Sequence, residues 1–148
     1  MEIIKGDIKE TRKKIDEQAR KGKKVVVKGR DISFNRLILE NKKVRMLILS
    51  HINKKDKLKQ RDSGLNEVLC KIAKQNNITL AIDLDELKKE KDKKTKAEIL
   101  SRILQNIKLI KKYKNDFKIL NYKNKNQAFS FLLTLGLPTN FSKKAVEK

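Results

Sequence analysis

The sequence is poor in the residues that carry metal, redox and stacking chemistry. Its 148 residues include one cysteine, one histidine and no tryptophan. A single cysteine cannot form a disulfide within the chain, and with one histidine it cannot build a Cys/His zinc site. Cys70 lies within the apolar pattern LNEVLCKIAK, so we predict a small buried side chain and not a reactive thiol.

Long apolar runs are also absent. No stretch approaches the ~18 apolar residues that suggest a membrane span, and the first residues, MEIIKGDIKETRKK, hold no apolar core of a secretory signal. No internal repeat and no linker rich in glycine or proline divides the chain. We therefore expect one soluble, cytoplasmic domain over residues 1–148, with a continuous core and no membrane partner.

The sequence motifs of a self-sufficient active site are missing as well. Neither GxxxxGK[ST] nor GxGxxG occurs, and no serine lies in a nucleophile elbow. His51 is the only histidine, so this chain cannot supply a hydrolytic centre with several histidine ligands. Asp83 and Asp85 could act as an acid–base pair, but carboxylates that follow a strand are typical of a helix N-terminus. We predict no catalytic or metal-binding residue, with a free-standing metal-dependent phosphoesterase as an alternative.

Basic residues dominate the composition. Lysine and arginine number 39 against 18 acids, which gives a net charge of +21. A chain so strongly charged repels itself unless a polyanion screens it, and nucleic acid is the commonest such partner. A compositional bias towards lysine would replace arginine, but it does not produce twice as many bases as acids. A basic RNA-binding protein is therefore the favoured class, with a generic RNA-binding module as its least specific form.

The cations form several zones along the chain. Segment 51–61 carries five lysines and arginines against one aspartate, and segment 88–96 carries six lysines against two acids. Further lysines follow at the end of a predicted helix, in segment 108–114. Each zone alone fits a solvated surface, but together they predict a broad face for A-form RNA, bound through its backbone. Aromatic residues are few, so base stacking is not the expected main mode of binding.

Short apolar runs alternate with amphipathic stretches. The apolar runs predict five strands, at residues 2–5, 25–28, 45–50, 78–84 and 117–120. Caps and helical spacing predict five helices: 7–21 with Asp7 as its cap, 31–40 with Asp31 as its cap, one with Leu65 on its inner face, 94–113, and one over NQAFSFLLTLGLP, followed by a short helix capped by Thr139 or Asn140.

Helical spacing also assigns the inner faces of two helices. These residues are Leu65, Val68, Leu69, Ile72 and Ala73 in one helix, and Ile99, Leu100, Ile103, Leu104, Ile107 and Ile110 in the other. Strands that are apolar on both sides and separated by helices indicate parallel strands covered by helices, an α/β fold. The pattern does not separate an open sheet from a barrel, although a complete eight-unit barrel of ~250 residues does not fit.

Four segments carry a family resemblance. They are VVVKGRDISFNRLILENKKVRMLILSH, RDSGLNEVLCKIAKQNNITLAIDL, ILSRILQNIKLIKKYKNDFKI and LTLGLP, and the similarity extends over residues 3–146. In their order and spacing they resemble the protein component 3 family of ribonuclease P. Gly29, Asp31, Asn35, Arg36 and Ser50 hold positions of the family pattern.

The resemblance implies a fold and a role. The expected fold is an incomplete (β/α) barrel of PHP-like or TIM-barrel type with a shortened N-terminal part, because relatives usually carry a further N-terminal segment. In such enzymes the RNA subunit uses Mg²⁺ to remove 5′ leaders from precursor tRNA. A component 3 chain then needs no cofactor of its own and pairs with protein component 2, as a hetero-oligomer or a dimer of heterodimers. Before the last helices, NYKNKNQAF replaces a longer family loop.

Eleven residues are the candidates for contact with RNA. Arginines are favoured because the planar guanidinium can bridge two phosphate oxygens. Asp62 or Ser63 is expected to cap the helix that follows the basic segment. The amides of that terminus beside Arg61 suit an RNA phosphate, although capping alone explains residues 62–64 equally well. The candidates are Arg30, Asn35, Arg36, His51, Lys54, Lys55, Arg61, Ser63, Arg102, Lys111 and Lys112.

Overall fold

Five parallel strands form one sheet in the computed structural model, which describes residues 2–56 and 58–147. The strands are β1 (Ile3–Ile4), β2 (Val26–Lys28), β3 (Met46–Leu49), β4 (Thr79–Asp83) and β5 (Phe117–Leu120). Each strand pairs with the next one in the chain, in the order β1-β2-β3-β4-β5. All five predicted strands are confirmed, as is the α/β class.

Seven helices lie in the described part of the chain. They are α1 (Ile8–Arg20), α2 (Ile32–Leu39), α3 (Glu67–Gln75), α4 (Asp85–Lys88), α5 (Lys93–Tyr113), α6 (Lys125–Thr134) and α7 (Thr139–Ala145). Parallel neighbours require a crossover, which helices supply in all four cases. Because the strand order never reverses, the arrangement is compatible with part of a (β/α) barrel, although the five described strands form an open sheet.

The two faces of the sheet bury different residues. The helix-covered face holds most of the core, including Val27, Leu47 and Ile82. The other face carries a smaller cluster of Val26, Met46, Ile48 and Ala81, all at most 4% exposed. Since side chains alternate along a strand, the residues two positions beyond this cluster point to the same face at the carboxyl end of the sheet. They are Lys28, Ser50 and Asp83.

Helix starts agree with the predicted caps at two sites and differ at two others. Asp7 and Asp31 accept hydrogen bonds from Glu10 N and Phe34 N, as expected. In α3, however, the cap is Asn66, whose Oδ1 accepts from Leu69 N at 2.9 Å. The predicted caps Asp62 and Ser63 are therefore wrong: the chain turns there, with Gly64 N donating to Asp62 Oδ1 at 3.1 Å, and the helix begins only at Glu67.

The later start of α3 also explains an error in its predicted inner face. Leu65 is buried, but it lies before the helix, so a face counted from it is rotated out of register. Val68 consequently points outward and is 48% exposed, while Cys70 is fully buried beside Leu69 and Ala73. The burial of Cys70 confirms the predicted buried side chain, and it raises the pKa of the thiol to about 12.

Two smaller differences concern α5 and α7. Leu100, predicted to face inward, is 37% exposed. Thr139 and Asn140 are helical residues of α7 and not its cap; Pro138 holds that position without a side-chain bond, since its ring carries no hydrogen-bond acceptor. Within the described residues, no helix is both long and apolar enough to cross a membrane.

Candidate nucleic-acid interface

The described residues between β3 and α3, 50–56 and 58–66, form an organised loop at the carboxyl end of the sheet. We call it the basic loop. Three polar side chains on one face of α5 hold it, at positions 102, 105 and 106, which the i, i+3, i+4 spacing brings side by side. Arg102 Nε donates to Asp62 O at 3.1 Å and its Nη2 to Asp56 Oδ1 at 3.2 Å. The guanidinium is 5% exposed, so it acts as an internal brace.

Gln105 and Asn106 continue this brace. Gln105 Nε2 donates to Arg61 O at 3.1 Å and to Ser63 Oγ at 3.2 Å. Asn106 Nδ2 donates to Ser63 O and approaches His51 Nε2, both at 2.9 Å. Asn106 is fully buried and thus links the first and last thirds of the basic loop.

A buried polar cluster lies where the basic loop leaves β3. The carboxylate of Glu86, on α4, accepts from Ser50 Oγ at 3.2 Å, from His51 N at 3.2 Å and from His51 Nδ1 at 3.2 Å. Lys28 Nζ, at the end of β2, lies 3.5 Å from Glu86 Oε2. Because Asn106 donates to Nε2, the imidazole carries its proton on Nδ1, which donates to Glu86.

The ionisation of this cluster follows from burial. Burial lowers the pKa of His51, which outweighs the opposing pull of the Glu86 carboxylate. Burial alone would raise the pKa of Glu86, but the bonds from His51 and the charge of Lys28 hold it below its usual range. At neutral pH the cluster is therefore a neutral histidine between an amide and an ionised carboxylate paired with lysine.

The turn after β2 is joined to the end of the basic loop. Asn35, fully buried in α2, accepts from Arg30 N at 2.8 Å and donates from Nδ2 to Gly64 O at 2.8 Å. Lys54 Nζ donates to Arg30 O from the other side. Gly64 has φ +76°, and a Cβ there would lie 3.2 Å from Asn35 Nδ2 and 3.3 Å from Lys54 Nζ. Only glycine fits this turn without displacing both partners.

The structure divides the eleven candidates by accessibility. Six are exposed and can meet a ligand directly: Arg30, Arg36, Lys55, Arg61, Lys111 and Lys112. Lys54 is partly exposed, and four are buried: Asn35, His51, Ser63 and Arg102. For these four a direct side-chain contact with RNA does not fit the structure, since their polar atoms are already engaged inside the protein. They position the loop that carries exposed cations.

The exposed candidates do not form one group. Lys55 and Arg61, on the basic loop, line a cleft of about 230 Å³ with Asp31, Ser33 and Asp62. Lys111 and Lys112 are at the end of α5 that leads into β5, so they lie towards the amino end of the sheet. Of the other two, Arg30 donates to Gly6 O at 3.2 Å, and Arg36 pairs with Glu40 at 3.1 Å.

Sequence reasoning missed Glu86, Gln105 and Asn106. The segment SRILQNIKLI did contain a signal, because adjacent polar residues interrupt an apolar helix face. Asp83 is not the cap of α4, as the cap position belongs to Leu84, which makes no side-chain cap bond. Asp83 lies one residue earlier, and its Oδ1 accepts from Asp85 N at 2.9 Å and from Asn121 Nδ2 at 2.7 Å. Nowhere in residues 2–56 and 58–147 do three His, Cys, Asp or Glu side chains gather as metal ligands.

The basic loop thus presents Lys55, Lys59 and Arg61 on a backbone fixed by buried amides and an arginine. Such pre-organisation lowers the entropy that a binding surface loses when it meets its ligand. Side chains of this type bind the phosphates of nucleic acids, with position set by the backbone and not by base identity.

Comparison with known proteins bears on the fold. No protein-family model and no curated protein matches the sequence. The structure is similar to a chain in the cryo-EM structure of archaeal ribonuclease P with mature tRNA, with a TM-score of 0.74 and 23% sequence identity. The match covers 97% of this chain and 61% of that one, so this chain spans less than two thirds of its structural neighbour. The likeness extends over nearly all the elements described above and establishes that the two chains share an α/β fold.

Proposed function

We propose that this chain is a protein subunit of ribonuclease P, of the component 3 type, that binds the catalytic RNA of that enzyme. The observation that carries the proposal is the structural likeness to a chain of archaeal ribonuclease P over 97% of this chain. The sequence resemblance, made on separate grounds, favours the same family. A net charge of +21 suits a protein that binds RNA.

The basic loop is the proposed RNA contact at the carboxyl end of the sheet. Lys55, Lys59 and Arg61 are exposed, and hydrogen bonds from Arg102 and Asn106 of α5 hold the backbone of the loop. Loops at this end of parallel sheets are where α/β proteins place their ligands. The ligand here is the phosphate backbone of the RNA subunit, and precursor tRNA is reached through the complex.

The division of labour within the enzyme follows from this assignment. The RNA subunit, with Mg²⁺, performs the hydrolysis that removes the 5′ leader, and this chain supplies neither a catalytic residue nor a metal site. Protein component 2 is the proposed protein partner, in a heterodimer or a dimer of heterodimers. The outer edges of β1 and β5 have no strand partner among the described residues, and unpaired edges are surfaces that a partner can cover.

Reconstitution tests the proposal. The chain is mixed with the RNA subunit and component 2 of the same source, and precursor-tRNA cleavage is measured at limiting Mg²⁺. We expect the chain to raise the rate, and the variant Lys55→Ala/Lys59→Ala/Arg61→Ala to lose most of that gain. The matched control is Lys9→Ala/Arg12→Ala/Lys13→Ala, which removes the same charge from the exposed face of α1.

Two outcomes would contradict the proposal. Cleavage of a phosphoester by the chain and a metal ion, without any RNA subunit, would indicate a free-standing phosphoesterase. RNA binding with no effect on cleavage would leave only a generic RNA-binding module.

A further inference from the structure

A second group of cations lies at the opposite end of the sheet from the basic loop. The turns before β2 and before β3 meet there, because Arg45 N donates to Val25 O at 2.9 Å. We call the five exposed cations of these turns the lower basic surface. They are Lys23, Lys24, Lys42, Lys43 and Arg45.

Charge at this surface is poorly neutralised. Segments 20–24 and 41–45 hold seven lysines and arginines and no acid. Lys43 pairs with Asp16 at 2.8 Å, and Lys23 lies 3.9 Å from Glu2, in both cases at the solvent-exposed surface where ion pairs contribute little. Among the described residues, no carboxylate lies within ion-pair distance of the remaining three cations, Lys24, Lys42 and Arg45.

These cations surround a cleft of about 630 Å³. Its floor includes Gly22, at φ +69°, where a Cβ would meet nothing within 4 Å. Two of the last carbonyls of α1 do not oppose an anion there, because Gly22 N and Lys23 N cap Ala19 O and Gln18 O at 3.1 and 3.0 Å. The residues that line the cleft include five cations and no carboxylate, which favours a phosphate as the ligand.

The apolar residues of the cleft argue against a membrane as the ligand. They are only Ala19 and Val25, and Val25 is 1% exposed. A surface that binds lipid combines cations with apolar side chains that can enter the bilayer. A cluster of cations with so few apolar neighbours fits an extended polyanion that is bound through its phosphates.

We propose that the lower basic surface binds the phosphate backbone of a second RNA segment, separate from the segment held by the basic loop. The proposal rests on the proposed function in one respect, that RNA is the polyanion. Arg45 and His51 lie six residues apart at the two ends of β3, about 20 Å along an extended strand. The two surfaces lie at opposite ends of the sheet. The chain would then join two RNA segments.

Three variants, each of which removes three positive charges, test whether the lower basic surface and the basic loop bind RNA separately. They are Lys24→Ala/Lys42→Ala/Arg45→Ala for the lower basic surface, Lys55→Ala/Lys59→Ala/Arg61→Ala for the basic loop, and Lys9→Ala/Arg12→Ala/Lys13→Ala on α1 as the control. Binding to a generic RNA duplex and to the RNA subunit is measured between about 50 and 200 mM salt, since each lost phosphate contact lowers the salt slope by about one.

For the RNA subunit, we expect each of the first two variants to lower the slope by about two to three, and the control to leave it unchanged. The two losses should add when the variants are combined, as they do for distant sites. Two short duplexes, one with a donor and one with an acceptor fluorophore, should show energy transfer on the wild-type chain, in a sample that sedimentation shows to be monomeric. Either triple variant should abolish that transfer while keeping single-duplex binding.

The results distinguish failure of this proposal from failure of the proposed function. An unchanged slope in the lower-surface variant, with a reduced slope in the loop variant, would overturn the second site and leave the first intact. The same holds if the monomeric chain gives no energy transfer. A chain that does not bind the RNA subunit at all would overturn both.

Discussion

The two ends of the sheet carry similar charge on different supports. At the carboxyl end, the cations belong to a long loop whose backbone is tied by buried groups, among them Asn35, Arg102 and Asn106. At the amino end, Lys24, Lys42 and Arg45 lie on short turns whose geometry is fixed by the strands themselves. One charged surface therefore depends on hydrogen bonds from buried side chains, and the other depends on the backbone pairing of β2 and β3. Substitutions of the buried residues should therefore disturb the basic loop and leave the lower basic surface unchanged.

The largest effect is expected from Asn106→Ala. It leaves Ser63 O and one nitrogen of His51 without a partner in a site fully closed to solvent. Each buried unsatisfied group costs about 1–3 kcal/mol, so the free energy of unfolding should fall by about 3 kcal/mol. Urea unfolding measures it, with the exposed Asn126→Ala on α6 as the control. Equal stability of the two variants would show that the loop is not held from α5.

Arg102→Lys tests the brace without a change in charge. The lysine cannot bond Asp62 O and Asp56 Oδ1 together, so stability should fall by about 2 kcal/mol. Amide exchange should quicken in residues 50–66 and stay unchanged in residues 21–25 and 41–45. RNA affinity should fall through the basic loop alone, although the net charge is the same. Faster exchange in both regions would contradict the comparison, because it would mean that both ends depend on this guanidinium.

The pH dependence of stability isolates the buried histidine. His51 has a lowered pKa in the folded state, so below about pH 6.5 the unfolded chain takes up a proton that the folded chain does not. Stability should be flat near pH 7 and should fall on acidification, with a slope of at most about 1.4 kcal/mol per pH unit. Since the chain has one histidine, His51→Gln should remove this slope above about pH 5.

Protonation of the carboxylates changes the stability only at lower pH. The pKa of Glu86 is held below its usual range, so in the wild type its contribution is lost further into the acid. His51→Gln removes the ring bond that helps to lower this pKa, and it leaves the bond from the backbone amide and the charge of Lys28. A slope between about pH 5 and 6.5 that persists in His51→Gln would show that another group is responsible.

The smallest expected effect is the difference in stability between alanine substitutions at two glycines. Gly64 in the basic loop and Gly22 at the lower basic surface both have left-handed backbones, at φ +76° and +69°. Alanine at either site costs about 1–2 kcal/mol for the backbone conformation. Gly64→Ala should cost about 1 kcal/mol more, because its Cβ presses on Asn35 and Lys54 while that of Gly22 meets nothing. Equal costs, measured by urea unfolding, would mean that the loop adjusts freely.

Local sequence patterns were enough to predict the strands and two of the helix caps. The apolar runs at β2, β3 and β4 are buried on both faces, as an apolar run implies. Asp7 and Asp31 cap helices because a cap needs only its own amide neighbours, three residues away. The prediction failed at α3 because the buried Leu65 resembles a helical position, although the helix begins at Glu67.

The candidate site depended on contacts that sequence spacing does not encode. His51 looked like an accessible member of a basic segment, but it is enclosed by Glu86, 35 residues away, and Asn106, 55 residues away. Arg102 looked like a ligand for phosphate, but it holds a loop 40 to 46 residues upstream, through Asp62 O and Asp56 Oδ1. A charged side chain on a helix gives the same local pattern in both roles.

By itself the sequence determined the parallel α/β class, the strands, the starts of α1 and α2 and the excess of positive charge, because these follow from burial periodicity, capping and composition. Only the tertiary structure decided which cations face solvent and which brace the chain. It also decided that two turns distant in sequence come together before β2 and β3. The physical reason is that hydrogen bonds to buried groups and the pairing of parallel strands act between distant residues, where no local pattern records them.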